Sequence, residues 1–130
     1  MVFNRLVEIN NLYEKCIPNA LGCQIYAGQK MTLAHSQDYG WKRLKYPSKD
    51  NPNDLVSYNL RVHRHSFLLH HNLLPTDLTR DIVISHRCHN KRCINVHHLN
   101  AESQAVNNDR KSCVQSQQCI GHGTEPNCIF

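Results

Sequence analysis

Cysteine and histidine are concentrated after residue 85, and this constrains the fold more than any other feature of the sequence. The 130 residues contain seven cysteines and ten histidines, far above average usage. Cys88, Cys93 and His98 fall within eleven residues, a spacing short enough for one loop to wrap a tetrahedral zinc ion. Few long apolar runs are available for a core, so we expect metal ions or disulfides to stabilise the chain.

The cysteine count and the N-terminus favour metal. Disulfide frameworks are typical of secreted chains with an even number of cysteines, whereas here the number is odd. The first residues, Met1 to Leu6, contain no apolar signal segment, and no stretch reaches membrane-spanning length. We expect a reducing, intracellular setting, either the nucleus or a host-cell cytoplasm. A secreted, disulfide-stapled protein is the rival interpretation.

The first predicted zinc site needs a fourth ligand besides Cys88, Cys93 and His98. Cys23 is the natural candidate because it lies on an expected early strand next to Gly22. Cys16 is the weaker candidate, since we expect it to end a helix.

The C-terminal segment contains a second and complete ligand set. Its Cys₃His spacing runs over sixteen residues and consists of Cys113, Cys119, His122 and Cys128. Two closed sites with four protein ligands each indicate structural zinc, because a catalytic zinc ion keeps one position open for water. Zinc coordination supplies about 10–16 kcal/mol of apparent folding free energy in small modules, which burial in this polar segment could not supply.

The hydrophobic pattern predicts a small α+β domain. Apolar residues at helical spacing indicate an amphipathic helix over residues 3–15, which Pro18 is expected to stop. The other predicted elements are strands at 22–28, 39–46, 57–62 and 81–85, helices at 63–72 and 101–111, and a polar loop at 47–54 that closes a basic hairpin. Basic residues cluster in the hairpin, as suits a phosphate backbone, although one such cluster is equally typical of a solvated face.

The segment from Ser85 to Leu99, SHRCHNKRCINVHHL, resembles the His-Cys box homing endonucleases. These belong to the ββα-metal (His-Me finger, HNH-like) nucleases, and their hallmark reads roughly S-H-x-C-H-N-x-x-C-x-N-P-x-H-L, followed by a helix with a metal-binding Asn. Val96 stands where the family usually has Pro, which affects the stiffness of the loop more than its chemistry. The resemblance covers roughly residues 22–128.

The resemblance implies a zinc-stabilised ββα-metal domain with a basic β-hairpin and two structural zinc sites. Together with the predicted elements it leads us to predict one nuclease domain over 1–130, made of an N-terminal helix (1–20), DNA-binding strands and helix (21–80), the catalytic motif (81–111) and a second zinc-binding loop (112–130). His86 matches the general base that activates water. Asn107 matches the ligand to one Mg²⁺ ion, for which Mn²⁺ can substitute, and the implied ends are 5′-phosphate and 3′-hydroxyl.

These two roles also suit the residue types. Imidazole titrates near neutral pH and therefore suits a general base. A neutral amide oxygen suits a hard ion such as Mg²⁺, which keeps most of its waters. Asn108 is the immediate competitor of Asn107. For His86 alone, a structural His or a spare zinc ligand is the alternative.

The hairpin resembles the strands that contact DNA in such nucleases. Arg43 is the residue expected near the scissile phosphate, with Arg61 as the alternative. The predicted nucleic-acid-binding residues are Lys42, Arg43, Lys45 and Arg61. Duplex DNA is the expected partner, and we expect the hairpin to enter its major groove. The rival function is a zinc-stapled module that binds nucleic acid or protein without cutting it.

The expected assembly is a monomer that nicks single strands. Homing endonucleases of this group are dimers whose C-terminal tails reach across to the partner, whereas this sequence ends two residues after Cys128. The apolar stripe of the N-terminal helix, formed by Phe3, Leu6, Ile9 and Tyr13, is expected to pack on its own domain. A homodimer formed through this stripe is the alternative.

Overall fold

The computed structural model describes residues 3–28 and 40–130. Within them the chain forms three α-helices, each next to a two-stranded antiparallel sheet in sequence. The helices are α1 (Arg5–Tyr13), α2 (Val62–His70) and α3 (Gln104–Ser116), and the strands are β1 (Cys16–Pro18), β2 (Gln24–Tyr26), β3 (Trp41–Pro47), β4 (Leu55–Arg61), β5 (Ile82–His86) and β6 (Leu99–Ser103). Consecutive strands pair as β1–β2, β3–β4 and β5–β6. Short 3-10 turns occur at Pro75–Asp77 and Val96–His98.

The main core lies between the β3–β4 hairpin and the helices α1 and α2. Side chains alternate between the two faces of a strand, so Leu44 and Tyr46 of β3 are buried while Arg43 and Lys45 are exposed. The buried members of this core are Leu12, Tyr26, Leu44, Tyr46, Val62, Leu68, Leu69 and Ile94. None of the helices among the described residues is long and apolar enough to span a membrane.

Helix α2 is buried at seven of its nine positions, and its polar side chains are hydrogen-bonded there. The ring of His65 bonds the Tyr46 hydroxyl at 2.7 Å and donates to the Lys42 carbonyl at 2.8 Å. The Ser66 hydroxyl donates to the carbonyl of Ile94 at 2.6 Å. Because buried polar groups are costly unless they are paired, these bonds fix α2 against both the hairpin and the loop that follows β5.

Strands β5 and β6 form a ββα unit with α3, which follows β6 directly. His86 pairs with Leu99 and Ser85 pairs with Asn100 in the ladder. Ser103 caps α3, its hydroxyl accepting from the amide of Val106 at 3.3 Å. The unit therefore places the end of β5 beside the first turns of α3.

The predicted hairpin and the types of most elements are confirmed, whereas the predicted helix at 101–111 is wrong at both ends. Residues 101–103 belong to β6, and α3 begins only after the Ser103 cap and continues to Ser116. The segment Leu99–Ser103 lacks an alternating apolar pattern because one of its two buried residues is Glu102, which is hydrogen-bonded to Ser85 and Arg110. The predicted strand at 39–46 begins at Tyr39, which lies outside the described residues.

The N-terminal region also differs from prediction. Helix α1 ends at Tyr13, well before Pro18, because the carbonyl of Lys15 accepts from the amide of Ala27 at 2.8 Å. Cys16 consequently lies in β1 and does not end a helix.

The apolar stripe of α1 packs on the domain in part. Phe3, Ile9 and Tyr13 contact the main core, as predicted. Leu6 does not, since it is 65 % exposed, and Leu12 is the buried residue of the helix.

Candidate active site and zinc sites

The structure brings Cys23, Cys88, Cys93 and His98 together. All four are buried, and their donor atoms lie within 4.8 Å of one another. The Sγ atoms of Cys23 and Cys93 each lie 3.6 Å from Nδ1 of His98. A tetrahedral zinc ion with Zn–S bonds of about 2.3 Å and Zn–N bonds of about 2.0–2.1 Å holds sulfur and nitrogen about 3.5 Å apart. This cluster therefore fits a zinc ion bound through His98 Nδ1.

Backbone pairing brings Cys23 to ligands that are far away in sequence. Strand β2 pairs with the loop around Cys93, where the amide of Ile94 donates to the Gln24 carbonyl at 2.8 Å. The Asn95 side chain donates to the carbonyl of Gly22 at 2.8 Å. Gly22 has φ +91°, a backbone conformation that residues with a side chain rarely adopt. The turn at this glycine directs the chain toward Cys23.

The second cluster consists of Cys113, Cys119, His122 and Cys128. Nε2 of His122 lies 3.5 Å from Sγ of Cys113 and 3.4 Å from each of the other two sulfurs. Nδ1 of His122 bonds the carboxylate of Asp109 at 2.9 Å, an arrangement that fixes the orientation of a zinc-binding imidazole. This cluster also fits zinc, and its first ligand is held by α3.

One thiol in each cluster has a pKa below its ordinary value. A hydrogen bond from Cys88 lowers the pKa of Cys93 to about 5, and backbone donation from Cys128 lowers the pKa of Cys119 to about 6. In each cluster one thiol is therefore shifted toward the thiolate, which is the form that binds zinc. Among the described residues, Cys16 is the cysteine outside both clusters; burial raises its pKa to about 11.

His86 and Asn107 line one cleft of about 340 Å³ between the hairpin, the start of α2, β5 and α3. Its other lining residues are Trp41, Asn59, Leu60, Arg61, His63, Arg64, Val83, Ile84, Ser85 and Gln104. Asn108, the competitor of Asn107 in the sequence, is exposed and bonds Gln104 and Lys111. The ββα unit therefore directs His86 and Asn107 toward the same space.

The imidazole of His86 is neutral at pH 7. Burial lowers its pKa to about 3, which a hydrogen bond with the backbone of Cys93 opposes in part. This bond connects His86 to a ligand of the first zinc cluster. The ring of His63 packs against His86 with their centroids 4.1 Å apart, and Nε2 of His63 donates to the Ile84 carbonyl at 3.0 Å.

Of the two candidate arginines, Arg61 lies at the cleft. The described residues that line the cleft include Arg61 but not Arg43. Arg61 pairs with Trp41 at the end of the hairpin nearest His86, and Arg43 lies further along, opposite Asn59. The prediction that Arg43 is the arginine at the reaction centre is therefore not supported by its position.

The remaining basic residues of the hairpin divide between its faces. Side chains of directly paired residues share a face, so Arg43 and Lys45 lie on the outer face with Arg61. Lys42 belongs to the alternate face, which it shares with Leu44, and is partly buried. The outer face thus forms a basic path that ends at the cleft.

Three polar residues near the site were not singled out from the sequence. They are His63, Glu102 and Arg110. Glu102 and Arg110 form an ion pair, with Nε to Oε2 at 2.7 Å, in which both side chains are almost fully buried. In the sequence Glu102 and Arg110 look like ordinary surface charges near a helix. They are eight positions apart, on either side of the start of that helix, and only this spacing could have indicated a contact.

These features define a small α+β protein of the ββα-metal type, in which two Cys/His clusters fit structural zinc. The family model for the zinc-binding loop region of homing endonucleases matches residues 29–128. The chain belongs to the His-Cys box homing endonuclease family, and this membership implies a nuclease that acts on DNA. No curated protein and no solved structure matches the chain.

Proposed function

We propose that this protein is a metal-dependent endonuclease that hydrolyses phosphodiester bonds of double-stranded DNA. The observation that carries the proposal is the shared cleft of His86 and Asn107. A module that only binds DNA would need the zinc clusters and the basic hairpin, but it would not need a neutral imidazole and an amide directed at one space.

His86 acts as the general base in this proposal. Its neutral ring takes a proton from a water molecule while the water oxygen forms a bond to phosphorus. The bond between phosphorus and the 3′ oxygen breaks, and the departing 3′ oxygen takes up a proton from solvent water to become a hydroxyl group. The products carry 5′-phosphate and 3′-hydroxyl ends. A phosphate anion in the cleft favours the protonated imidazole and so raises the pKa of His86 toward the working pH.

Asn107 would hold the divalent ion. A neutral amide oxygen is the type of ligand that suits Mg²⁺, and Asn107 reaches the cleft from the first half of α3. When bound there, Mg²⁺ supplies neutralisation of the charge that develops on the phosphate and on the departing oxygen.

The outer face of the β3–β4 hairpin is the proposed DNA-binding surface. Arg43 and Lys45 would contact phosphates along the duplex, and Arg61 would contact the phosphate at the cleft. Its guanidinium presents fixed donors that suit a phosphate group, and its charge is close enough to His86 to contribute to lowering the pKa of the imidazole.

Two arginine variants should separate binding from chemistry. Arg61→Ala should lower the cleavage rate at saturating DNA by about 10²-fold, the usual cost of removing one donor to a developing charge. Arg43→Ala should leave that rate unchanged, weaken DNA binding, and reduce the salt dependence of binding by about one unit. The measurement is single-turnover cleavage together with DNA affinity at several salt concentrations. The reverse pattern would restore Arg43 as the arginine of the reaction centre.

The proposed activity itself is tested with supercoiled plasmid. Zinc-loaded protein should convert the plasmid to nicked or linear forms with Mg²⁺ or Mn²⁺ and should fail to do so when the divalent ion is omitted. Omission is preferable to a chelator, which would also remove zinc. Tight DNA binding without any cleavage under these conditions would favour the non-catalytic module instead.

A further inference from the structure

The hydroxyl group of Ser85 lies between Glu102 and Asn107. Its Oγ is 2.5 Å from Oε2 of Glu102 and 2.9 Å from Oδ1 of Asn107. Ser85 and Glu102 are both 2 % exposed, so the bulk solvent does not compete for these contacts. Ser85 is therefore the link between a buried acid and the amide at the cleft.

Glu102 is an ionised carboxylate in this site. Arg110 donates to it twice, from Nε at 2.7 Å and from Nη2 at 2.8 Å, and Asn100 donates at 2.7 Å. Burial alone would raise the pKa of Glu102, but the hydrogen bonds from Arg110, Ser85 and Asn100 outweigh it and lower the pKa. An ionised carboxylate only accepts hydrogen bonds.

A serine hydroxyl has one proton, and it cannot donate to Glu102 and Asn107 at the same time. The charged carboxylate is the stronger acceptor and is the nearer one. The proton of Ser85 therefore points to Glu102, and only lone pairs of Oγ face Asn107.

A lone pair facing Asn107 determines which end of its amide lies there. If Oδ1 stayed at 2.9 Å, two oxygen lone pairs would face each other in a buried place. A half turn of the amide exchanges Oδ1 with Nδ2 at almost no change in shape, and the hydrogen-bond network decides between the two. With Nδ2 donating to Ser85, Oδ1 turns toward the cleft.

We propose that Ser85 and Glu102 are positioning residues that orient the amide of Asn107, with its nitrogen toward Ser85 and its oxygen toward the cleft as a ligand for a divalent metal ion. The metal-binding consequence rests on the proposed nuclease function. The orientation of the amide does not.

The orientation is tested by NMR on the zinc-loaded protein without other divalent ions. The side-chain NH₂ signals of Asn107 are identified by their loss in Asn107→Ala. We expect nuclear Overhauser contacts from these protons to the β protons of Ser85, and slow exchange of one proton with water. Amide protons that exchange rapidly and lack contact with Ser85 would overturn the proposal, and this arm requires neither a folded Ser85 variant nor any cleavage.

The consequence for the metal is tested with Ser85→Ala. Loss of a residue that orients a metal ligand typically costs 10–100-fold in metal affinity or activity, so the Mg²⁺ concentration for half-maximal cleavage should rise at least about tenfold. Ser66→Ala is the matched control, because it removes a buried hydroxyl that bonds the Ile94 carbonyl instead. Adding Ser85→Ala to Asn107→Ala should have no further effect.

The two arms separate the possible failures. If the wild-type protein does not cut DNA, the proposed function fails, and the NMR contacts still decide how the amide is oriented. If the wild-type protein cuts and Ser85→Ala keeps the wild-type Mg²⁺ dependence, the positioning role is overturned while the nuclease function stands.

Discussion

Replacing His86 by alanine is expected to lower the rate of DNA cleavage by a factor of about 10²–10⁴, the usual contribution of general acid–base catalysis. The variant lacks the imidazole that takes the proton from water, and it keeps all eight residues of the two clusters. DNA affinity should change little, since the basic outer face of the hairpin is untouched. The measurement is single-turnover cleavage of a labelled duplex with saturating protein and Mg²⁺.

A loss of activity supports the assignment only if the fold is retained. His86 packs against His63, so zinc content and circular dichroism should be compared with those of the wild-type protein. His71→Ala is a suitable control because His71 is an exposed histidine just after α2. Cleavage by the His86 variant at the wild-type rate would refute its role as general base, and Asn107→Ala should be inactive as well, with partial rescue at high Mg²⁺.

The ligand clusters could be predicted because coordination chemistry constrains the sequence strongly. Cys88, Cys93 and His98 are close in sequence, and a tetrahedral ion needs a fourth donor. Few cysteines were left to supply it, so Cys23 could be identified although it is distant along the chain. The pairing of β2 with the loop around Cys93 then agrees with that choice.

The arginine at the cleft could not be predicted, because it depends on the register of the hairpin. A one-residue change in register moves a side chain to the other face of a strand, and the distance of each pair from the cleft depends on where β3 and β4 begin. Arg43 and Arg61 are both outward-facing basic residues near aromatic neighbours. Only the pairing of Arg61 with Trp41 shows which of them reaches the cleft.

The polar network behind Asn107 was missed for a different reason. Glu102 lies in β6, where the sequence pattern predicted a helix, and a charged residue in a short strand is ordinarily assigned to the surface. Its burial depends on Arg110 from α3, so the two residues are explained only as a pair. Local patterns do not predict contacts of this kind.

The two zinc ions should stabilise different parts of the chain, so the loss of each cluster should have a different effect. We expect about two zinc ions per chain by elemental analysis. Each contributes about 10–16 kcal/mol of apparent folding free energy, compared with a total stability of about 5–15 kcal/mol for a typical domain. Cys88→Ser should therefore unfold the loop around the first cluster together with β2, and circular dichroism should show it.

Cys128→Ser should instead reduce the zinc content to about one ion and release the C-terminal segment. Among described residues 117–130, His122 is the buried one, so besides the cluster the segment is held mainly by hydrogen bonds with Arg87, Asn100 and Arg110. The damage should also reach the cleft. Arg110 donates to Sγ of Cys128 at 3.4 Å and to the Pro126 carbonyl at 2.8 Å while it pairs with Glu102, so loss of the segment loosens the support of Asn107.

The cysteine outside the clusters provides the matched comparison. Cys16→Ser should keep two zinc ions and near-normal stability, because Cys16 lies outside both clusters and its thiol donates to the carbonyl of Leu12 at 3.5 Å, as a serine hydroxyl can also do. Cys23→Ser should lose the zinc ion of the first cluster. A wild-type stoichiometry near one, or equal losses of zinc in the Cys16 and Cys23 variants, would show that the ligand sets are assigned wrongly. Selective loss, in which variants of each cluster lose one zinc ion and keep the other, would establish that the loop around His86 and the support of Asn107 depend on separate metal ions.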